Sequence, residues 1–178
     1  MSDLHTNEQI RLRLLSVVSL CSDYCFVCEN ASEMTKEEFV DRMLDILPRL
    51  YWEFFDLSIE TVMIEEFDYF GTYVDEDYYE SVRRHIETVM GEHDTYLETF
   101  EEDMKYSETP IAASVAENLA DIFQPLFNFI SIVKDTEGEK LTDAYSQCKE
   151  NFVSYWSQTL CNVLRALNNI KYSTSSEF

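Results

Sequence analysis

Three glycines and three prolines are all the turn-formers in 178 residues. An average chain gives about 12% of its positions to these two residues. So few breakers leave no material for the many tight turns of β-sandwiches and Greek-key barrels, or for a glycine-rich phosphate loop. What remains is a chain of long helices. Hydrophobic residues make up 46% of the sequence, enough to give such helices a buried side.

Spacing says which side that is. Ile10, Leu14, Val17, Cys21, Tyr24 and Cys28 recur at alternating intervals of four and three, one face of a helix over about residues 6–30. Thr35-Lys36-Glu37-Glu38 is a capping box, in which the Thr35 hydroxyl takes a backbone N–H. It predicts a second helix with Phe39, Met43, Ile46, Leu47, Leu50 and Phe54 inward. Pro48 lies inside it, removes one donor, and is expected to kink the helix or restart it. Residues 56–74 read ambiguously between apolar segment and loop. Asp75 caps a third helix over 76–90, with Tyr79, Val82, Ile86 and Val89 on one face and Gly91 closing it.

A short helix with Leu97, Phe100 and Met104 is expected next. Thr109-Pro110 then predicts the start of a fourth helix over 110–134, bent at Pro125. The last helix, 139–171, turns Leu141, Tyr145, Cys148, Phe152, Trp156, Leu160, Val163, Leu167 and Ile170 inward. The fold expected is all-α: a single domain over residues 1–172, a bundle of about five main helices with mostly antiparallel neighbours, and a frayed tail at 173–178.

Charge narrows the partners. Thirty-five acids against 13 bases give a net charge of −22, which repels nucleic-acid phosphates and anionic membrane surfaces and attracts a basic protein partner. Residues 51–108 alone hold 18 acids, three bases and seven of the 11 tyrosines. No run approaches the 18 or so apolar residues of a membrane span. Leu14 to Leu20 mimics a short signal peptide, but Asp3 and Glu8 stand where its basic region belongs. Five cysteines, three of them within eight residues, do not form a disulfide framework. Reduced thiols in the cytoplasm are the expectation.

Cys21, Cys25 and Cys28 have the C-x3-C-x2-C spacing of radical-enzyme iron–sulfur sites. That chemistry needs its cysteines on a loop. Here they fall on the apolar stripe of a helix, which favours core packing. His5, His85 and His93 form no H-E-x-x-H or E-x-x-H pattern, so neither a metal site nor any other cofactor is assigned. There is no G-x-S-x-G elbow, so no catalytic residues are assigned either. Glu117 and Asp121, four apart beside the core stripe of the fourth helix, are the candidate ligand-binding carboxylates. Arg83 and Arg84, the basic pair of the acidic half, are their candidate counterions, with a structural ion pair as the plainer reading.

Several segments together resemble a known family. They are Asp77-Tyr78-Tyr79-Glu80-Ser81-Val82-Arg83-Arg84, Asp94-Thr95-Tyr96-Leu97-Glu98-Thr99-Phe100, Ser114-Val115-Ala116-Glu117-Asn118-Leu119-Ala120-Asp121-Ile122-Phe123, Phe152-Val153-Ser154-Tyr155-Trp156 and Leu164-Arg165-Ala166-Leu167. The chain is similar, over about residues 36–170, to bacterial domain-of-unknown-function family 5063. The resemblance implies a compact, all-helical, cytoplasmic protein and no particular activity. Two positions depart from the family pattern: Asn118 replaces a second acid, and Ser157 stands where a histidine tends to follow the tryptophan.

The leading functional expectation is a non-catalytic binding or adaptor module that presents an acidic, tyrosine-rich surface to a basic protein. The alternative is a small-molecule or divalent-metal-binding enzyme using Glu117, Asp121, Arg83 and Arg84. A third reading, a nucleic-acid mimic with carboxylates in place of phosphates, needs a long negative ridge. Oligomeric state is left open.

Overall fold

The computed structural model describes residues 2–59, 70–98 and 111–173. Helix α1 (Ser2–Glu29) buries Leu14, Val17, Cys21, Tyr24 and Cys28, as its spacing requires. It ends where the Asn30 side chain folds back onto the Phe26 carbonyl at 2.8 Å. Helix α2 (Lys36–Asp56) starts at Thr35, whose hydroxyl accepts from the Glu38 N–H at 3.2 Å. It runs through Pro48 without restarting. The ring is exposed and only one backbone bond is lost, while seven buried residues hold the rod on both sides. At the far end the Lys149 ammonium donates to the carbonyls of Phe54, Phe55 and Leu57, which closes α2.

Helix α3 (Glu76–Met90) has the expected bounds. Asp75 accepts from the Tyr78 N–H at 2.8 Å, and Gly91 closes the helix at φ 55°, a conformation that favours glycine. Beyond a short 3-10 turn, the chain departs from expectation. Leu97 ends a strand, β1 (Thr95–Leu97), instead of opening a helix, and β1 pairs antiparallel with β2 (Ala112–Ser114). Phe100, Met104 and the expected Thr109-Pro110 start lie outside the described residues. Helix α4 (Val115–Asp135) therefore begins at 115, not 110. The reason is tertiary. Asp94 accepts from the Ala116 N–H at 2.8 Å and from the Ser114 hydroxyl at 2.7 Å, and Ser114 accepts from the Glu117 N–H at 3.1 Å. Orphan donors of α4 are thus satisfied by a residue 20 positions or more upstream.

The last rod is α5 (Leu141–Asn151), a π-helical turn (Phe152–Trp156) and α6 (Ser157–Tyr172). The expected inward face contains the cause. Cys148, Phe152, Trp156 and Leu160 follow at three successive intervals of four, whereas three α-helical turns cover 10.8 residues. The surplus residue is absorbed by widening one turn. In this way all four side chains stay buried.

Helix α4 is the centre of the bundle and packs against α1, α3, α5 and α6, while α2 lies along α6 and α1. The buried side chains form one connected core. Within it Trp156 meets Phe54 and Phe152 edge-on at 4.9 and 4.7 Å between ring centroids. Polar tips are tied to the backbone: Tyr24 donates to the Leu119 carbonyl and Tyr145 to the Leu57 carbonyl, each at 2.8 Å. No described helix is long and apolar enough to cross a membrane. Cys21, Cys25, Cys28 and Cys148 are buried core residues, and burial pushes their thiols well up from the ordinary range.

Candidate functional site

Three elements converge on Asp121. It sits on α4 beside Leu119, Ile122 and Phe123, all fully buried, on the most apolar rod of the bundle. Four residues on, Pro125 lacks the N–H that the Asp121 carbonyl would otherwise accept. The Asp121 carboxylate is gripped from two sides. Tyr79 of α3 donates its hydroxyl to Oδ1 at 2.7 Å, and Tyr155 of the π-helical turn donates to Oδ2 at 2.6 Å. Both bonds are charge-assisted and accordingly short.

The two phenols hold their protons firmly. Burial, then the Asp121 bond and charge, raise Tyr79 far above the usual tyrosine value, and Glu117 adds to this. Tyr155 is pushed up to about 12, again mainly by desolvation and then by Asp121. Glu117 itself is exposed one helical turn before Asp121. A second polar tier adjoins the first. The Tyr96 hydroxyl of β1 accepts from the Asn118 amide, the Glu98 carboxylate accepts from the buried Asn162 amide, and Arg165 donates to the Leu97 carbonyl at 2.7 Å. These bonds moor β1 to α4 and α6.

Of the residues expected to bind a ligand, the structure brings Glu117 and Asp121 to one site. Arg83 and Arg84 are engaged elsewhere. Arg83 bonds Glu80 and Glu87 of its own helix, each at 3.1 Å, and Arg84 approaches Glu80 at 3.8 Å. The ion pair expected between these arginines and the α4 acids is replaced by phenol–carboxylate bonds. Acids three before and four after Arg83 on the same helix are closer competitors. In the sequence Tyr79 reads as an inward-face residue of the third helix, and Tyr155 enters only through the family resemblance. Their hydroxyls gain a role only through contacts 42 and 34 positions away. The run of three fours around Phe152 and Trp156 is a sequence signal for the turn that carries Tyr155.

Chemically, the site gathers one doubly bonded carboxylate, two protonated phenols and an exposed carboxylate. It is rich in acceptors and suits a cationic group. Among the described residues no cluster of three histidine, cysteine or acidic side chains is arranged to hold a metal. His85 bonds the Glu29 carbonyl at 2.7 Å, and His93 faces the Lys36 ammonium at 3.4 Å.

A family described as a domain of unknown function (DUF5063) matches residues 9–173. The chain belongs to that family. This DUF5063 chain is similar to a solved crystal structure, that of protein BF1032 from Bacteroides fragilis. The TM-score is 0.77 at 30% sequence identity, over 93% of this chain and 96% of that one. No curated protein matches the chain.

Proposed function

We propose that this DUF5063 protein is a non-catalytic protein-binding module that presents an acidic, tyrosine-rich face to a basic partner in the reducing cytoplasm. The observation that carries this reading is the state of Asp121. Its carboxylate is held by two phenols, while Arg83 bonds acids of its own helix. Residues 70–98, which supply α3 and β1 beside it, contain eight acids and two arginines. Glu76, Asp77, Glu87 and Glu92 of that stretch, and Glu117 of α4, are exposed. Such a face steers a basic segment toward the phenols, whose rings also accept cations. The buried thiols suit a reducing compartment.

Binding of lysine- and arginine-rich peptides, followed by fluorescence anisotropy at increasing salt, tests the proposal. Affinity is expected to fall as salt rises and to fall again in a Glu76→Lys/Asp77→Lys/Glu117→Lys variant. Binding that ignores both salt and charge reversal overturns it.

A second reading is favoured by the π-helical turn, an irregularity frequent at functional sites, which delivers Tyr155 to Asp121. On that reading Glu117 and Asp121 bind a small amine or a divalent cation, without Arg83 and Arg84, which bond acids of their own helix. Calorimetric titration with spermidine or Mn²⁺ separates the two, since an Asp121→Asn variant loses such a ligand while still binding peptides through the other acids.

A further inference from the structure

Strand β1 leaves one edge unpaired. Val115 donates its N–H to the Asp94 carbonyl at 2.8 Å, and Glu98 donates to the Ile111 carbonyl at 2.9 Å. Such bonds come from alternate residues of an antiparallel pair. Asp94, Tyr96 and Glu98 therefore turn their backbone groups toward β2, while Thr95 and Leu97 turn theirs outward. The outward Leu97 carbonyl is met by Arg165 of α6 at 2.7 Å, which sets that edge toward α6. Among the described residues the Thr95 N–H and C=O and the Leu97 N–H have no partner. Free donors and acceptors at strand spacing are a template for another extended chain.

There is room for one. A cavity of about 450 Å³ is lined by Thr95, Tyr96 and Leu97 of β1 and by Arg165, Ala166 and Asn169 of α6. It shares His93, Asn169 and Ile170 with a second cavity of about 540 Å³, which reaches Lys36 at the start of α2 and Lys171 near the end of α6. The groove so formed leads from Leu97 past Thr95 to Lys36. An antiparallel strand on β1 follows that direction, so its C-terminal end arrives at Lys36. A carboxylate fits there. The Lys36 ammonium faces His93 Nδ1 at 3.4 Å, and among the described residues neither Lys36 nor Arg165 is paired with an acid. Lys171, by contrast, is bonded to Asp41 at 2.6 Å. Thr35 takes the Glu38 N–H, so those of Lys36 and Glu37 belong to the open first turn of α2. Glu37 and Glu92 also line the groove and are exposed. They suit neutral or basic side chains on the incoming tail.

We propose that the groove between β1, α6 and the start of α2 captures the C-terminal tail of a partner protein. The tail adds as an antiparallel strand on Thr95 and Leu97 and lays its terminal carboxylate against Lys36 and His93. This does not rest on the acidic face, and the two respond to the end of a tail with opposite sign. Amidation removes a negative charge, so the acidic face alone binds an amidated peptide at least as well as the free acid. The groove binds the free acid more tightly.

A pool of random hexapeptides free of acidic side chains, made once with a C-terminal carboxylate and once as the amide, is titrated into the isotope-labelled full chain. Nuclear magnetic resonance reads the backbone amides. The free-acid pool is expected to shift the Thr95 and Leu97 signals and to bind about tenfold more tightly than the amide pool. Lys36→Ala should remove that preference, a loss of about tenfold for the free acid. Leu97→Pro deletes an N–H that the ribbon does not use and should weaken both pools at the groove. If that variant unsettles the ribbon, Lys36→Ala decides. The Glu76→Lys/Asp77→Lys/Glu117→Lys variant should keep the preference for the free acid, whatever becomes of the acidic face. Unshifted Thr95 and Leu97 signals, an amide pool that binds as well as the acid, or a preference that survives Lys36→Ala overturns the proposal.

Discussion

The Tyr155 hydroxyl donates to Asp121 Oδ2 at 2.6 Å, and this bond exists because one turn of the last rod is π-helical. Tyr79 completes the grip on the other carboxylate oxygen. Removing the acceptor is costlier than removing one donor, because it leaves two phenols without their partner. Asp121→Ala is expected to destabilise the fold by about 1–3 kcal/mol, and Tyr79→Phe or Tyr155→Phe by about 0.5–1.5 kcal/mol each. For a chain of this size that is roughly 2–4 °C of thermal midpoint per kcal/mol. A midpoint unmoved by Asp121→Ala would assign the carboxylate to ligand binding rather than to stability.

Val153 is exposed within the widened turn, and its deletion removes the surplus residue. The intervals after Cys148 would then alternate four, three, four, the α-helical pattern. The shortened chain should fold with its helix content intact and lose less stability than Trp156→Ala, for which about 3–5 kcal/mol is expected. Urea unfolding of the two variants makes the comparison. A deletion variant that fails to unfold cooperatively would show the π-helical turn to be required by something other than register.

Raised phenols make the protein sensitive to alkali. Burial and Asp121 hold Tyr79 and Tyr155 above the ordinary tyrosine value of about 10, and burial raises Tyr24, Tyr96 and Tyr145 likewise. A group whose folded pKa is raised binds its proton more tightly when folded. Its stabilisation is therefore complete below the unfolded value near 10 and is lost as pH climbs through the folded value. The phenols' contribution to stability should be constant below pH about 10 and fall as pH approaches about 12, the value of Tyr155. Tyrosinate absorbance followed alongside circular dichroism should show these phenols titrating only as the helices melt.

Four of the five thiols are buried, and Cys161 is the exposed one. A thiol reagent should modify one cysteine of the native chain and all five in denaturant. Rapid native reaction of Cys21, Cys25 or Cys28 would contradict their core position.

Asp94 spans the β1–β2 ribbon and the first turn of α4. Asp94→Ala removes acceptors for the Ala116 N–H and the Ser114 hydroxyl. A loss of about 0.5–2 kcal/mol in chemical unfolding is expected, and hydrogen exchange should quicken first in the opening turn of α4.

The all-helical class, the bounds of α3, the inward faces and the burial of the cysteine stripe were legible in the sequence. Each rests on interactions within a few residues: three- and four-residue periodicity, the Thr35 and Asp75 caps, Gly91 at a positive φ. Glu117 and Asp121 were legible as paired acids on a core-edge stripe. What they bond was not. Carboxylates take the nearest suitable donors in space, and local spacing could only propose Arg83 and Arg84. Tertiary packing decided that Tyr79 and Tyr155 reach Asp121, that Asp94 starts α4 at 115, and that 112–114 pair as a strand. It also chose a widened turn over an unburied Trp156. A helix repeats every 3.6 residues, but the core it faces is fixed by its neighbours, and where the two conflict it is the helix that yields.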